Sequence, residues 1–235
     1  PCQAAGLRKI IDLSFKKLED NLLIVDFLCE GVPSKKIFSA YQKELETRYN
    51  SNLKNVIFRS KEYGWNQHCM KAYFENGKEY LSPSFTDSYM HTFISDLLLN
   101  RHCCYDCCFR EEKKSDITIG DFWKIKSVDQ AFFDNKGVSA IFVNTQKGEA
   151  TLKSISEKCE IKHLDSTQEV YIHQHIDGKS YYERRNQFYS VFLKSGYSTA
   201  INKFSTYMKN SKFRKKYNYF KIYSKFELKR RLKKY

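Results

Sequence analysis

NLLIVDFLC, residues 21 to 29, followed almost at once by GVPSKKIFSAYQKELETRY, residues 31 to 49, is the stretch on which the fold turns. The first piece is a continuous apolar run of strand length, as a buried strand of a parallel sheet shows. The second opens with Gly31 and Pro33 and then spaces Ile37, Phe38, Tyr41 and Leu45 onto one helical face. Strand, turn and amphipathic helix in that order are the punctuation of a β/α unit. Before it, PCQAAGLRKIIDLSFKKL predicts another helix, with Leu7, Ile10, Ile11 and Leu18 in one apolar stripe. In open parallel sheets ligands gather beyond the carboxyl ends of the strands, where the following helices present uncapped amide donors. Cys2, at the start of the first helix, and Cys29, at the end of the strand, are both expected on that edge.

The middle of the chain has a different character. KNVIFRSKEYGW reads as a strand and turn, and MKAYFENGKEYLS as a hairpin whose Asn76-Gly77 pair suits a type I′ turn. DSYMHTFISDLLLN predicts a helix capped by Asp87, with Met90, Phe93, Ile94, Leu97 and Leu98 on its apolar face, delivering the chain to Cys103. The cysteine-rich segment is then a loop. DITIGDFW and VSAIFVNT read as strands, GEATLKSISEK as a short helix, and residues 180 to 220 as further helices. Together these predict an α/β fold: a partly parallel sheet with helices on both faces, an antiparallel hairpin insertion and a helical C-terminal tail.

Of 235 residues, 41% are hydrophobic and 16% aromatic, enough for a core and too much for disorder. No run of about eighteen apolar residues appears that would span a bilayer as a helix, and no signal peptide is visible. The first residues read as the turn between a strand and a helix, so a segment before Pro1 is expected. The net charge of +14 is unevenly placed, because from Ile201 onward there are thirteen Lys or Arg against the single acid Glu227. That tail interleaves aromatics with bases, a pattern suited to anionic lipid or nucleic acid. An anionic membrane surface is the expected partner and nucleic acid is not, which places the protein in the cytoplasm, peripheral at the inner membrane face.

Chemistry concentrates in the eight cysteines. CCYDCC contains the CxxC pair Cys104 and Cys107, a spacing that lets two thiolates bind one metal or cluster from a single turn. Two ligands do not close a site, and no second CxxC exists. Cys2 and Cys29 are the best placed to complete it, because helix N-termini stabilise thiolates. Cys69 and Cys159 lie in strand-like surroundings and read as packing residues. Cys103 and Cys108 are spare. Adjacent cysteines without a signal peptide argue against a disulfide framework. Spacing leaves zinc and iron open, since both accept four thiolates. His173 and His175 form an HxH without carboxylate or cysteine partners nearby, which reads as a strand edge. There is no GxGxxG, P-loop or nucleophile motif.

PCQAAGLR, VDFLCEGVPS, FRSKEYGW and CYDCCFREEKKSDITIGDFW, in this order and at these intervals, resemble the C-terminal domain of the coenzyme F420 hydrogenase/dehydrogenase beta-subunit family. The resemblance covers most of residues 1 to 150 and fades beyond about 195. It implies a 4Fe-4S cluster on Cys2, Cys29, Cys104 and Cys107, a flavin in the form of FAD, and electron transfer between a reduced carrier and a flavin-reducible substrate such as a deazaflavin. Similar bacterial proteins sit among surface-polysaccharide genes. On that basis Gly120 is expected to let backbone approach the flavin, Asp121 to make a polar contact and Trp123 to flank a ring. Arg59 and Lys61 are expected to neutralise its pyrophosphate or an anionic substrate. The chain departs from the family in carrying Glu30 where His is common, and Lys124 where Gly is common. The family's N-terminal ferredoxin-like portion is expected to be missing, so an electron-carrier protein or such a domain is the implied partner. Residues 1–195 then form the iron–sulfur and flavin domain, and residues 196–235 the basic aromatic tail. Two readings compete: a zinc-stapled binding module whose tail grips anionic lipid or nucleic acid, and a cofactor-less scaffold in a polysaccharide pathway.

Overall fold

The computed structural model describes residues 1–164 and 178–208. In chain order the elements are α1 (Cys2–Ser14), β1 (Val25–Phe27), α2 (Lys35–Tyr49), β2 (Leu53–Ser60), β3 (Cys69–Phe74), β4 (Glu79–Pro83), α3 (Ser88–Ile94), β5 (Ile117–Asp121), α4 (Ile125–Val128), β6 (Ser139–Val143), α5 (Gln146–Ile155) and α6 (Gly178–Phe204), with 3-10 turns between several of them. The fold is mixed α/β, with one partly parallel and one antiparallel sheet. Two compact units are built from interleaved stretches. Of the described residues, 1–30 and 106–164 form the first, 31–105 and 178–208 the second.

In the first unit β1 pairs parallel with β5, which pairs antiparallel with β6. The apolar run at 21–29 yields a strand of only three residues, and Asp26 is the one that faces inward, while Val25 and Phe27 are 49% and 58% exposed. The fully buried parallel strand expected there is not found, because β1 is hydrogen-bonded on one side only among the described residues. Likewise α1 stops at Ser14, and of its expected stripe only Ile11 is buried. Beside the buried Ile11, Ile24, Ile117, Phe122 and Ile125, a polar cluster fastens the unit. The buried Asp116 carboxylate accepts from the Ile24 amide at 2.8 Å, the Thr145 hydroxyl at 2.8 Å and the Arg8 guanidinium at 3.2 Å, joining α1, the approach to β1 and the start of α5.

The second unit holds the larger apolar core. Ile37, Tyr41 and Leu45 of α2 meet Met70 and Phe74 of β3, Leu98, and Phe188 and Ala200 of α6, all buried. The stripe expected on α2 is the one that forms. Asp87 caps α3 through the Met90 amide at 2.7 Å and also accepts from the Tyr41 and Tyr80 hydroxyls at 2.5 and 2.7 Å. Its full burial raises the carboxyl above the ordinary carboxylate range, and these donors offset only part of that. The β3–β4 hairpin forms as expected, but not through a type I′ turn. Gly77 is at positive φ (80°) and Asn76 is not, and the Phe74 amide donates to Lys78 and its carbonyl accepts from Gly77, a three-residue loop. Gly196, at φ 81°, breaks α6, and beyond the break Tyr197, Ala200 and Ile201 return to the core. His173, His175 and the tail from residue 209 lie outside the described residues.

Candidate functional site

Because β1 and β5 are parallel, their carboxyl ends lie on one edge of the sheet, and Cys29 and residues 120–123 stand at that edge. The Leu28 amide donates to the Ile119 carbonyl at 2.9 Å, carrying the pairing to the residue before Cys29. Gly120 and Asp121 end β5, in register with Ala140 and Ser139 of β6, and Trp123 follows, 37% exposed. The close approach that Gly120 permits here is that of Leu28: a Cβ at residue 120 would stand 2.5 Å from Leu28 Cδ1. Cys2 opens α1, and the Pro1 nitrogen before it lies 3.8 Å from the Asp26 carboxylate of β1. Cys2, Cys29 and the 120–123 stretch are thus tied to the same parallel pair.

Arg59 and Lys61 belong to the second unit, at and just beyond the end of β2, both exposed. The Gly64 amide donates to the Lys61 carbonyl at 2.8 Å, closing the turn that buries Trp65 in the core. The five expected flavin contacts are therefore divided between the units, Gly120, Asp121 and Trp123 in the first, Arg59 and Lys61 in the second.

The cysteine loop consists of two 3-10 turns, His102–Cys104 and Cys108–Arg110. The Cys104 amide donates to the Arg101 carbonyl at 3.0 Å, and the Cys107 carbonyl accepts from the Arg110 amide at 3.2 Å. No disulfide joins any of the eight cysteines. Cys2, Cys103 and Cys108 are exposed, whereas Cys29, Cys104 and Cys107 are half-buried. Cys69 is the packing residue expected: burial, with the Glu62 charge second, pushes its thiol up to about 12. Cys159 is not, since it is exposed after a 3-10 turn rather than packed in a strand. Among the described residues no three His, Cys, Asp or Glu side chains are grouped so as to hold a metal ion. In chemistry the four candidate thiols fit an iron–sulfur cluster, being accessible and outside any disulfide; Cys2, Cys29 and Cys107 lie in the first unit and Cys104 in the second.

A mixed α/β protein with a thiol-rich loop and a glycine-containing strand end beside a cysteine is the class these features define. Residues 1–168 match the family described as the C terminus of the coenzyme F420 hydrogenase/dehydrogenase beta subunit, and the chain belongs to that family. Membership makes it a domain of the F420 hydrogenase beta-subunit type, a class of oxidoreductase. No curated protein and no solved structure matches the chain.

Proposed function

We propose that this chain is an iron–sulfur flavoprotein oxidoreductase domain that passes electrons between a reduced carrier and a flavin-reducible substrate, deazaflavin-like or related, in surface-polysaccharide biosynthesis. The observation that carries the reading is the gathering of Cys29 and residues 120–123 at the carboxyl edge of a parallel strand pair in a member of this family. Cys2, Cys29, Cys104 and Cys107 would hold a 4Fe-4S cluster; Gly120, Asp121 and Trp123, with Arg59 and Lys61, would hold FAD. When bound, that pair would supply hydride acceptance at the flavin and one-electron relay at the cluster. The chain's own part would be to supply the four thiols, to present the Trp123 ring for stacking, and to offer the guanidinium and ammonium of Arg59 and Lys61 to phosphate oxygens. The electron source is a carrier protein or ferredoxin-like domain. Among the described residues no helix is long and apolar enough to cross a membrane; the reading places the protein in the cytoplasm, with the basic tail resting on an anionic inner-membrane face.

Protein purified without oxygen tests this through its absorption spectrum and its iron, sulfide and zinc content. A broad band near about 400 nm with flavin shoulders is the expected result, and Cys104→Ala should bleach the band while Cys159→Ala leaves it. Colourless protein carrying zinc would make the loop a structural staple and overturn the proposal.

A further inference from the structure

The family match ends at residue 168, and α6 lies beyond it. Tyr182, Arg185 and Tyr189 are spaced i, i+3, i+7 and so share one face of that helix. Each reaches the chain segment that leads into Cys104. The Tyr189 hydroxyl donates to the Leu99 carbonyl at 3.0 Å, and Arg185 Nε donates to the Asn100 carbonyl at 2.8 Å. The Tyr182 hydroxyl hydrogen-bonds His102 Nδ1, and the two rings meet edge-on with centroids 3.9 Å apart. The Arg185 guanidinium lies 4.2 Å from the Tyr189 ring centroid and 6.0 Å from that of Tyr105.

The segment receives these side chains because it has little regular structure of its own. Leu97 takes the left-handed conformation at φ 56°, rare for a branched side chain without glycine's freedom, and the Tyr105 hydroxyl donates to its carbonyl. On its other side the Leu99 carbonyl also accepts the Ser34 amide at 3.0 Å, and the Arg101 amide donates to Val32 at 2.8 Å. Residues 97–105 are thus held between the 31–34 stretch and α6, all within the second unit.

We propose that Tyr182, Arg185 and Tyr189 are positioning residues for the cysteine loop: the face of α6 fixes the backbone of residues 97–105 and thereby sets where Cys104 stands. The functional part of this inference rests on the reading of Cys104 as a cluster ligand. The physical cause is general. Two buried carbonyls and a left-handed leucine keep one conformation only while their partners stay in place, and a charge-assisted donor such as Arg185 is the strongest of those partners.

The test is the alkylation rate of each cysteine by N-ethylmaleimide in full-length protein stripped of metal, resolved residue by residue by fragment mass spectrometry. Arg185→Ala is expected to speed Cys104 about tenfold, by letting the segment open locally, while Cys69, buried in the same unit, stays slow and Cys159 is unchanged. Arg185→Lys keeps the charge without the fork and should recover part of the protection; Tyr189→Phe, which removes a single oxygen, should show a smaller rise. An unchanged Cys104 rate in Arg185→Ala and Tyr189→Phe overturns the proposal. So does a rise in which Cys69 keeps pace with Cys104 in Tyr189→Phe, since that is general unfolding. Iron analysis of the untreated wild type reads the other question separately. Iron without a change at Cys104 sinks the positioning role alone, and a change at Cys104 without iron sinks the cluster reading alone.

Discussion

Gly120→Ala isolates what the glycine in the site edge does. Its Cβ would stand 2.5 Å from Leu28 Cδ1, 2.7 Å from Cγ and 3.1 Å from Cβ. A lone clash with Cδ1 could be relieved by swinging the tip of the side chain, but Cγ is set by χ1, so Leu28 must change rotamer or its backbone must retreat. Overpacking of this kind costs about 1–3 kcal/mol. Leu28 immediately precedes Cys29 and its amide pairs with Ile119, so any retreat moves the cysteine. Leu28→Ala removes both nearer atoms and makes room, so the double variant should be less destabilised than the sum of the two singles, with a coupling of at least about 1 kcal/mol. Urea unfolding of the four proteins, followed by far-ultraviolet circular dichroism, measures it, and the maleimide rate of Cys29 reports the displacement: faster in Gly120→Ala, closer to wild type in the double variant. Strictly additive costs would refute the packing argument. FAD content of the double variant then separates the two uses of the glycine, because relieving Leu28 does not restore the space a bound ring would need.

Two further outcomes are expected. Asp116→Asn should cost about 2 kcal/mol at neutral pH, by removing the charge from a buried carboxylate with three donors. Burial alone would raise that carboxyl, but the Ile24 amide, the Thr145 hydroxyl and the Arg8 charge outweigh it and hold it below the ordinary range. The stabilisation is therefore present above about pH 4 and lost as pH falls through the folded value, so urea melts should show the gap between wild type and variant closing on acidification. A gap constant with pH contradicts the assignment. For Cys69, burial first and the Glu62 charge second push the thiol up to about 12, and alkylation at about pH 8 should leave it at least a hundredfold slower than exposed Cys103. Comparable rates would mean that the strand bearing Cys69 opens readily.

The elements most legible in the sequence are those whose pattern a single neighbour satisfies. The 3.6-residue spacing of Ile37, Tyr41 and Leu45 decides α2 because one face meets one core. Asp87 can be named as a cap because a carboxylate three residues before an amide closes a local ring. The same reasoning misplaces the 21–29 run. Its apolar content announces burial on both faces, yet the inward residue is Asp26, and Val25 and Phe27 are half-exposed. Apolar content fixes how much surface wants cover, whereas strand pairing fixes which face receives it, and pairing is a long-range property. The hairpin turn departs from expectation for a smaller reason: Asn-Gly permits two positive φ values, but the β3–β4 loop, one residue longer, uses only that of Gly77.

For the site the division is sharper. The CxxC pair is a chemical type at a recognisable spacing, and the strand end at Gly120 and the basic pair before Trp65 can be named only through the family resemblance. What their spacing does not contain is the support of Cys104, which comes from a helix some eighty residues further along and outside the family match. Tyr182, Arg185 and Tyr189 show a helical period, but a tyrosine-arginine face reads as a solvated one unless its partners are known. The partners of Arg185 and Tyr189 are main-chain carbonyls, and a carbonyl leaves no mark on the sequence. A candidate ligand can therefore be named from its residue type while the residues that hold its backbone stay hidden. A chain that kept every cysteine but lost Arg185 would look intact to motif reading and should still present Cys104 in the wrong place.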